Sequence, residues 1–92
     1  MAIHTVILSA MANPRRLAIL KLLEAGEMSV TVMADALAIS QSSLSQHLSK
    51  LRAAKLVQTR RDAQTVLYAI DSPYVAAILH TLRKYDDAGS VG

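Results

Sequence analysis

The sequence predicts one mostly helical domain with a single β-hairpin, in the element order α-α-α-α-β-β-α. The chain has 92 residues, the size of one small domain, so residues 1–92 are treated as a single unit. Hydrophobic residues make up 52% of it and three tyrosines are the only aromatic residues, which predicts a core of aliphatic side chains. Apolar residues recur at helical spacing up to Lys55 and at about every second residue after it, which indicates helices followed by strands.

The first two predicted helices are separated by a helix-start signal. Apolar side chains recur at helical spacing over about residues 3–12. Asn13-Pro14 then favours a new helix, because Asn is a preferred N-cap and Pro suits the first helical position. The second helix is expected over residues 15–25, ending at Gly26. Its leucines and isoleucine cover most directions of the helical wheel, so it is expected to be the most buried helix.

Two short helices with a tight break between them follow. Ser29 is expected to cap a helix over residues 30–37, and Ser40 to cap a helix from Gln41 to about Ala54. The second of these helices has one narrow apolar stripe, formed by Leu44, Leu48 and Leu51. Its opposite face is polar.

The C-terminal part predicts a hairpin and one more helix. Residues 57–61 and 65–70 read as short strands joined by a turn at residues 62–64. Asp71-Ser72-Pro73 repeats the helix-start signal, and the last helix is expected to run to about Tyr85.

Charge is concentrated in one segment of the chain. Residues 41–65 contain five basic residues and one acidic residue, a net charge of +4, whereas the other residues together carry −1. A basic segment on a nearly neutral body predicts a polyanionic partner.

Several function classes are excluded by composition and pattern. Without cysteine the chain has no disulfide, no thiolate metal ligand and no Cys nucleophile. No apolar run approaches the ~18–20 residues of a membrane span, and no signal-peptide pattern is present, so a cytoplasmic location is expected. The sequence contains no nucleophile elbow and no Gly-rich phosphate loop, so we expect neither enzymatic activity nor a cofactor.

Two short helices followed by a basic hairpin describe a winged helix-turn-helix, whose second short helix enters the major groove of DNA. Small Ser side chains let a helix approach the groove closely, and Gln can pair with adenine. The residues predicted to read base edges are Gln41, Ser42, Ser43, Ser45 and Gln46. Those predicted to contact the DNA backbone are Arg15, Arg16, Ser49, Lys50, Arg60, Arg61, Gln64 and Thr65. For His47, at the flank of the leucine stripe, packing at the helix edge and contact with the DNA backbone both remain open.

The apolar content also predicts self-association. A mean hydropathy of +0.30 is high for a monomer, which suggests that part of the apolar surface is buried against a second copy. The first and last helices are the candidates for a homodimer interface. The predicted interface residues are Ile3, Val6, Ile7, Met11, Val75, Ile78, Leu79 and Leu82.

Three stretches resemble the ArsR/SmtB family of transcription regulators: residues 8–17, 37–52 and 56–66. The resemblance covers about residues 5–85, and its most specific part is the Ser-Gln-His-Leu-x-x-Leu sequence from Ser45 together with the Arg-Arg-Asp-x-Gln-Thr sequence from Arg60. It implies a homodimeric DNA-binding regulator, most simply a repressor, that binds an imperfect inverted repeat. It also implies that the first and last helices form the dimer interface.

The chain departs from the sensor sites of that family. Where family metal sensors carry a Cys pair on the third helix this chain has residues 29–35 without cysteine, and where persulfide sensors carry a thiol in the second helix it has Lys21. The family's His and carboxylate site on the last helix is reduced to Asp71 and His80. At the helix break Ala38 replaces the usual Gly, which costs roughly 1 kcal/mol if φ is positive there.

No metal site is predicted, although whether His4 or His80 joins acidic partners on a metal is left open, as is any small-molecule effector. The alternative function is a winged-helix antirepressor, or a sensor that acts through a protein partner or an unidentified non-thiol ligand.

Overall fold

The computed structural model describes residues 2–89, and the side chains of residues 2–86. Within this range the chain forms five helices and three strands, so the predicted helical domain with a hairpin is confirmed. The elements are α1 Ala2–Met11, α2 Pro14–Leu23, β1 Met28–Ser29, α3 Val30–Leu37, α4 Gln41–Ala53, β2 Val57–Asp62, β3 Thr65–Ile70 and α5 Pro73–Gly89.

Strand β1 is the one element that the sequence did not predict. It pairs antiparallel with β3, with Met28 opposite Tyr68 and Ser29 opposite Leu67, and the sheet order is β1-β3-β2. Two residues are too few for an alternating pattern to appear in the sequence. The hairpin therefore belongs to a three-stranded sheet, and β1 attaches it to the helical body just before α3.

The predicted helix starts are confirmed in atomic detail. The side-chain oxygen of Asn13 accepts hydrogen bonds from the backbone N–H groups of Arg15 and Arg16, at 2.9 and 3.0 Å. Ser29 accepts from the N–H of Val32 at 3.3 Å, and Ser40 from the N–H of Ser43 at 3.1 Å. These bonds satisfy backbone donors that have no partner inside the helix, so they fix where α2, α3 and α4 begin.

The core lies between the helices and the base of the sheet. Helix α2 contributes Ile19, Leu20 and Leu23, which agrees with its predicted central position. The core residues from the other elements are Ile7, Ala10, Met11, Met33, Ala34, Leu44, Leu48, Leu51, Leu56, Val57, Val75 and Leu79. Full burial of one Leu or Ile side chain is worth about 1.5–3 kcal/mol, so this cluster supplies most of the driving force that orients the helices.

Helix α5 divides its apolar side chains between the core and the surface. Val75 and Leu79 are fully buried, whereas Leu82 and Tyr85 are 41% and 66% exposed. The helix continues past its predicted end at Tyr85 to Gly89. None of the helices in residues 2–89 is long and apolar enough to span a bilayer.

Candidate nucleic-acid interface

Helix α4 presents a polar face whose direction is set by the core. Leu44, Leu48 and Leu51 are completely buried, so the helix cannot rotate about its axis without exposing them. The opposite face is exposed and consists of Ser42, Gln46, Ser49 and Ala53, and the exposed Ser45 lies at its edge. A rigid helix with outward hydroxyl and amide groups has the chemistry that base edges require in a major groove.

The first turn of α4 is held by hydrogen bonds to its neighbours. The Ser40 and Ser42 hydroxyls lie 3.3 Å apart, and the Gln41 side-chain amide donates to the Thr31 hydroxyl of α3 at 3.4 Å. Ser43 is half-buried. Of the five predicted base-reading residues, Ser42 and Gln46 therefore lie on the outward face with Ser45 exposed at its edge, whereas Gln41 contacts α3 and Ser43 is turned partly inward.

The turn between α3 and α4 meets the condition under which Ala38 is expected to carry a local cost, because φ of Ala38 is positive. Ala38 has φ 55° and ψ 45°, in the left-handed region. The N–H of Ile39 donates to the carbonyl of Ala34 at 3.2 Å, which closes the end of α3. Glycine would occupy this conformation without strain, so Ala38 carries a local cost in the turn that sets the angle between the two helices.

A basic cluster surrounds His47, where α4 passes the start of α2. Its Nδ1 atom is buried without a hydrogen-bond partner among the described residues. Burial, followed by the charges of Arg16, Arg15 and Lys50, holds the pKa of His47 below its ordinary value. The protonated form of His47 is thus disfavoured, which fits packing at the helix edge, and contact of His47 with the DNA backbone stays a prediction.

The two arginines at the start of α2 differ in their contacts. Arg16 donates from Nε to the carbonyl of Ala10 at 2.6 Å and from Nη2 to the carbonyl of Ser9 at 3.4 Å. It therefore caps the C-terminus of α1, whose last carbonyls have no helical partner. Arg15 is exposed, and its side chain makes no hydrogen bond within the described part of the chain. Of the two arginines predicted to contact phosphate, Arg15 is thus exposed, whereas Arg16 caps the end of α1.

The wing, defined here as residues 57–70, holds its two arginines in different surroundings. Arg60 donates from Nε to Oε2 of Glu27 at 2.7 Å, and its Nη2 bonds the other carboxylate oxygen. Arg61 is exposed, and no ion pair of Arg61 is found among the residues described. At the tip, Ala63 has φ 57°, and Gln64 and Thr65 are exposed.

Glu27 is a residue of this surface that the sequence did not indicate. It follows Gly26 directly before β1, 33 positions from Arg60 in the sequence. Without knowledge of β1 and its register, nothing places these two side chains together. Its only sequence signal is a lone acidic residue between a helix stop and an apolar residue.

The predicted dimer surface is partly inside the monomer. Four of its residues, Ile7, Met11, Val75 and Leu79, are at most 5% exposed in the single chain, so they have almost no surface left to bury against a partner. Helical periodicity alone does not distinguish packing within one chain from packing between two. The structure narrows the candidate interface to the exposed apolar side chains of α1 and α5, namely Ile3, Val6, Leu8, Leu82 and Tyr85, together with the half-buried Ile78.

No cluster of histidine and carboxylate side chains forms within residues 2–86. Among these side chains no group of three or more His, Asp and Glu is placed to hold a metal ion. His4 instead contacts Tyr74 of α5, with Nε2 3.3 Å from the phenol oxygen and the ring centroids 5.6 Å apart. His80 is exposed.

Comparison with protein families matches residues 11–60 to a helix-turn-helix domain model. Among curated relatives, the nodulation protein NolR of Rhizobium meliloti is 59% identical over 82% of this chain and 62% of its own length. The transcriptional activator HlyU of Vibrio cholerae is 49% identical over 86% of this chain and 73% of that protein. A biofilm growth-associated repressor of Agrobacterium fabrum is 36% identical over 84% of this chain and 66% of the relative. The chain thus spans under two thirds of the length of NolR.

Solved structures share the fold over most of the chain. The crystal structure of NolR from Sinorhizobium fredii has a TM-score of 0.85 at 54% identity, covering 90% of this chain and 83% of that one. A Mycobacterium bovis structure, described as a homodimeric winged helix-turn-helix DNA-binding domain, has a TM-score of 0.85 at 31% identity and covers 94% and 80% of the two chains. The wing and the helix pair that the sequence predicts are therefore common to these proteins.

Proposed function

This chain belongs to the ArsR/SmtB family of winged helix-turn-helix transcription regulators, and we propose that it binds duplex DNA as a homodimer and regulates transcription, most simply as a repressor. The observation that carries the proposal is the outward polar face of α4, which the buried leucines fix in direction. Helix α4 contacts both α2, which begins with the basic cluster, and strand β2 of the basic wing. Such an arrangement offers base-reading groups flanked by cations for phosphates.

In the proposed complex α4 lies in the major groove. Ser42, Ser45 and Gln46 contact base edges, and Gln46 is suited to a bidentate pair with adenine. Gln41 and Ser43, at the start of the helix, border this contact. The phosphates are met by Arg15, Ser49, Lys50, Arg61, Gln64 and Thr65, with Arg60 joining once it is released from Glu27.

The homodimer is proposed to form through the exposed apolar residues of α1 and α5. Ile3, Leu82 and Tyr85 are 60%, 41% and 66% exposed, and burying such apolar surface against a second copy is favourable. A twofold dimer presents two copies of α4 to adjacent major grooves, so it binds two half-sites in inverted orientation about one helical turn apart. The relative from Mycobacterium bovis, described as homodimeric, supports this assembly.

Leu82→Asp is expected to separate the protomers, because a charge placed in an apolar contact is costly to desolvate. Leu82 is exposed in the single chain, so the substitution leaves the monomer core unchanged. Sedimentation at micromolar concentration is expected to give a dimer for the wild type and a monomer for this variant. The control is Thr81→Asp, on an exposed neighbouring position of α5. A variant Leu82→Asp that stays dimeric contradicts this interface.

Repression is the simplest outcome, because a dimer bound over a promoter excludes other proteins from that promoter. The proposed site of action is the cytoplasm. Relatives carry both kinds of name, an activator in one case and a repressor in another. The alternative of an antirepressor acting through a protein partner does not need the aligned polar face of α4.

Selection of bound sequences from random duplex DNA tests the proposed function. The purified protein is expected to enrich a consensus with two inverted half-sites whose centres are about 10 base pairs apart. A folded protein that enriches no sequence and binds no duplex at low salt contradicts it. Enrichment of a single half-site without symmetry contradicts the dimer while leaving DNA binding in place.

A further inference from the structure

Glu27 and Arg60 lie on one face of the sheet that carries the wing. Ser29 and Arg60 both face Leu67 in the register, so these three residues form one row across β1, β3 and β2. Glu27 is two residues before Ser29 and therefore projects to the same side, since successive side chains alternate. The sheet thus brings a carboxylate from the helical body against the first arginine of the wing.

The contact occupies the edge of the guanidinium that binds oxyanions. Nε and Nη2 of Arg60 each bond one oxygen of Glu27, a paired geometry in which a guanidinium also grips a phosphate. The two side chains are 57% and 37% exposed, so solvent and other anions reach the pair. The hydrogen bond from Arg60 is the main reason that the pKa of Glu27 lies below its ordinary value, and the carboxylate therefore stays charged at neutral pH.

We propose that Glu27 competes with DNA phosphate for Arg60, so that the wing keeps one of its two arginines neutralised until a phosphate displaces the carboxylate. This inference rests on the proposed DNA-binding function. Its consequence is weaker binding to DNA of any sequence, because non-specific affinity comes almost entirely from phosphate contacts. The contacts of α4 with bases are untouched by Glu27, so the competition lowers specific and non-specific affinity by about the same factor.

The chain supplies a matched control for the removal of a paired carboxylate. Glu24, at the end of α2, accepts two hydrogen bonds from Arg83 of α5 at 2.7 and 3.0 Å. This pair is also exposed, and Arg83 is not among the residues assigned to DNA contact. Glu24→Gln and Glu27→Gln therefore remove the same charge from similar pairs, and only the second frees an arginine of the wing.

The test measures binding to a mixed-sequence duplex of about 30 base pairs, long enough for both half-sites, by fluorescence anisotropy at several salt concentrations. Glu27→Gln is expected to raise the affinity of the dimer roughly 2- to 30-fold, the range that follows from releasing two exposed ion pairs. The log–log salt slope is expected to steepen by at most about 2, the value reached if Arg60 of each wild-type protomer stays on Glu27 in the complex. Glu24→Gln is expected to change the affinity and the salt slope only as far as any loss of one negative charge from the protein does.

A second arm repeats the comparison in an Arg60→Ala background. Competition predicts that the increase in affinity from Glu27→Gln shrinks there to that of Glu24→Gln, whereas a long-range charge effect predicts the same increase in both backgrounds. Glu27→Ala, which leaves no side chain to bond Arg60, must give the same increase as Glu27→Gln, and thermal melts by circular dichroism confirm that all variants are folded.

Unchanged or reduced affinity in folded Glu27→Gln overturns the competition, as does an equal increase in Glu24→Gln. In these cases the wild type still binds DNA, and the proposed function stands. If neither the wild type nor any folded variant binds a duplex at low salt, the proposed function itself fails.

Discussion

Helix α4 and the wing both face the proposed DNA, but their side chains are held in different ways. The outward residues of α4 are aimed from behind by three fully buried leucines, and the base-reading positions Ser45 and Gln46 make no side-chain hydrogen bond within the described residues. In the wing, Arg60 is engaged by Glu27 of the helical body. In the proposed complex the difference separates two tasks: packing fixes the geometry with which α4 reads sequence, and an exchangeable ion pair adjusts the charge available for phosphates.

Leu48→Ala is expected to have the largest effect on stability, because it removes one of the buried leucines that fix the direction of α4. Leu48 is completely buried at the middle of the stripe, and removing such a side chain from a core costs about 2–5 kcal/mol. Urea denaturation is the measurement. The control Ser49→Ala, on the neighbouring exposed position, is expected to stay within about 0.5 kcal/mol of the wild type. A destabilisation below about 1 kcal/mol for Leu48→Ala contradicts the idea that the buried leucines aim α4.

Ala38→Gly tests the turn that precedes α4, and it is expected to stabilise the fold by a smaller amount than Leu48→Ala destabilises it. The left-handed conformation of Ala38 strains an alanine, so glycine is expected to stabilise the fold by about 0.5–1 kcal/mol after its greater freedom in the unfolded chain is counted. Thermal and urea unfolding check this. Ala36→Gly, inside α3 and with ordinary helical geometry, is the matched control and is expected to destabilise by about 1 kcal/mol. If Ala38→Gly and Ala36→Gly change the stability in the same direction, backbone strain at Ala38 is contradicted.

The smallest effect concerns the junction of α4 with α2. Because the pKa of His47 is lowered in the folded state, the unfolded chain binds a proton first as the pH falls below about 6.5. Stability should therefore decrease from that pH downward and level off once the folded state is also protonated. His47→Gln is expected to remove this part of the pH dependence, measured by urea unfolding at pH values between about 5 and 8. His80→Gln removes an exposed histidine for comparison, and an equal pH dependence in wild type and His47→Gln contradicts the assignment.

The local signals of the sequence specified most of this framework. Asn13, Ser29 and Ser40 act as the caps that the sequence predicts, because capping depends on residues adjacent in the chain. Likewise, the leucine stripe of α4 follows directly from helical periodicity.

The features that escaped prediction depend on contacts between distant segments. The Glu27–Arg60 pair requires the register of three strands, and the bonds of Arg16 to α1 require the angle between two helices. The division of the apolar side chains of α1 and α5 between core and surface is also tertiary, since both sets have helical spacing. At these places the structure adds contacts within the chain for some of the predicted phosphate ligands and dimer residues, and their roles stay predictions.

The most direct test of the division between α4 and the wing compares Gln46→Ala with Arg61→Ala on a selected operator and on a scrambled duplex at several salt concentrations. Gln46→Ala is expected to cost about 1–3 kcal/mol on the operator and little on the scrambled duplex, because the side chain that pairs with a base is removed. Arg61→Ala is expected to weaken both complexes nearly equally and to reduce the salt slope by about 0.9 for each phosphate that the protein no longer neutralises. If Arg61→Ala alone abolishes discrimination while Gln46→Ala preserves it, the wing reads the sequence or the groove width, and the role assigned to α4 is wrong.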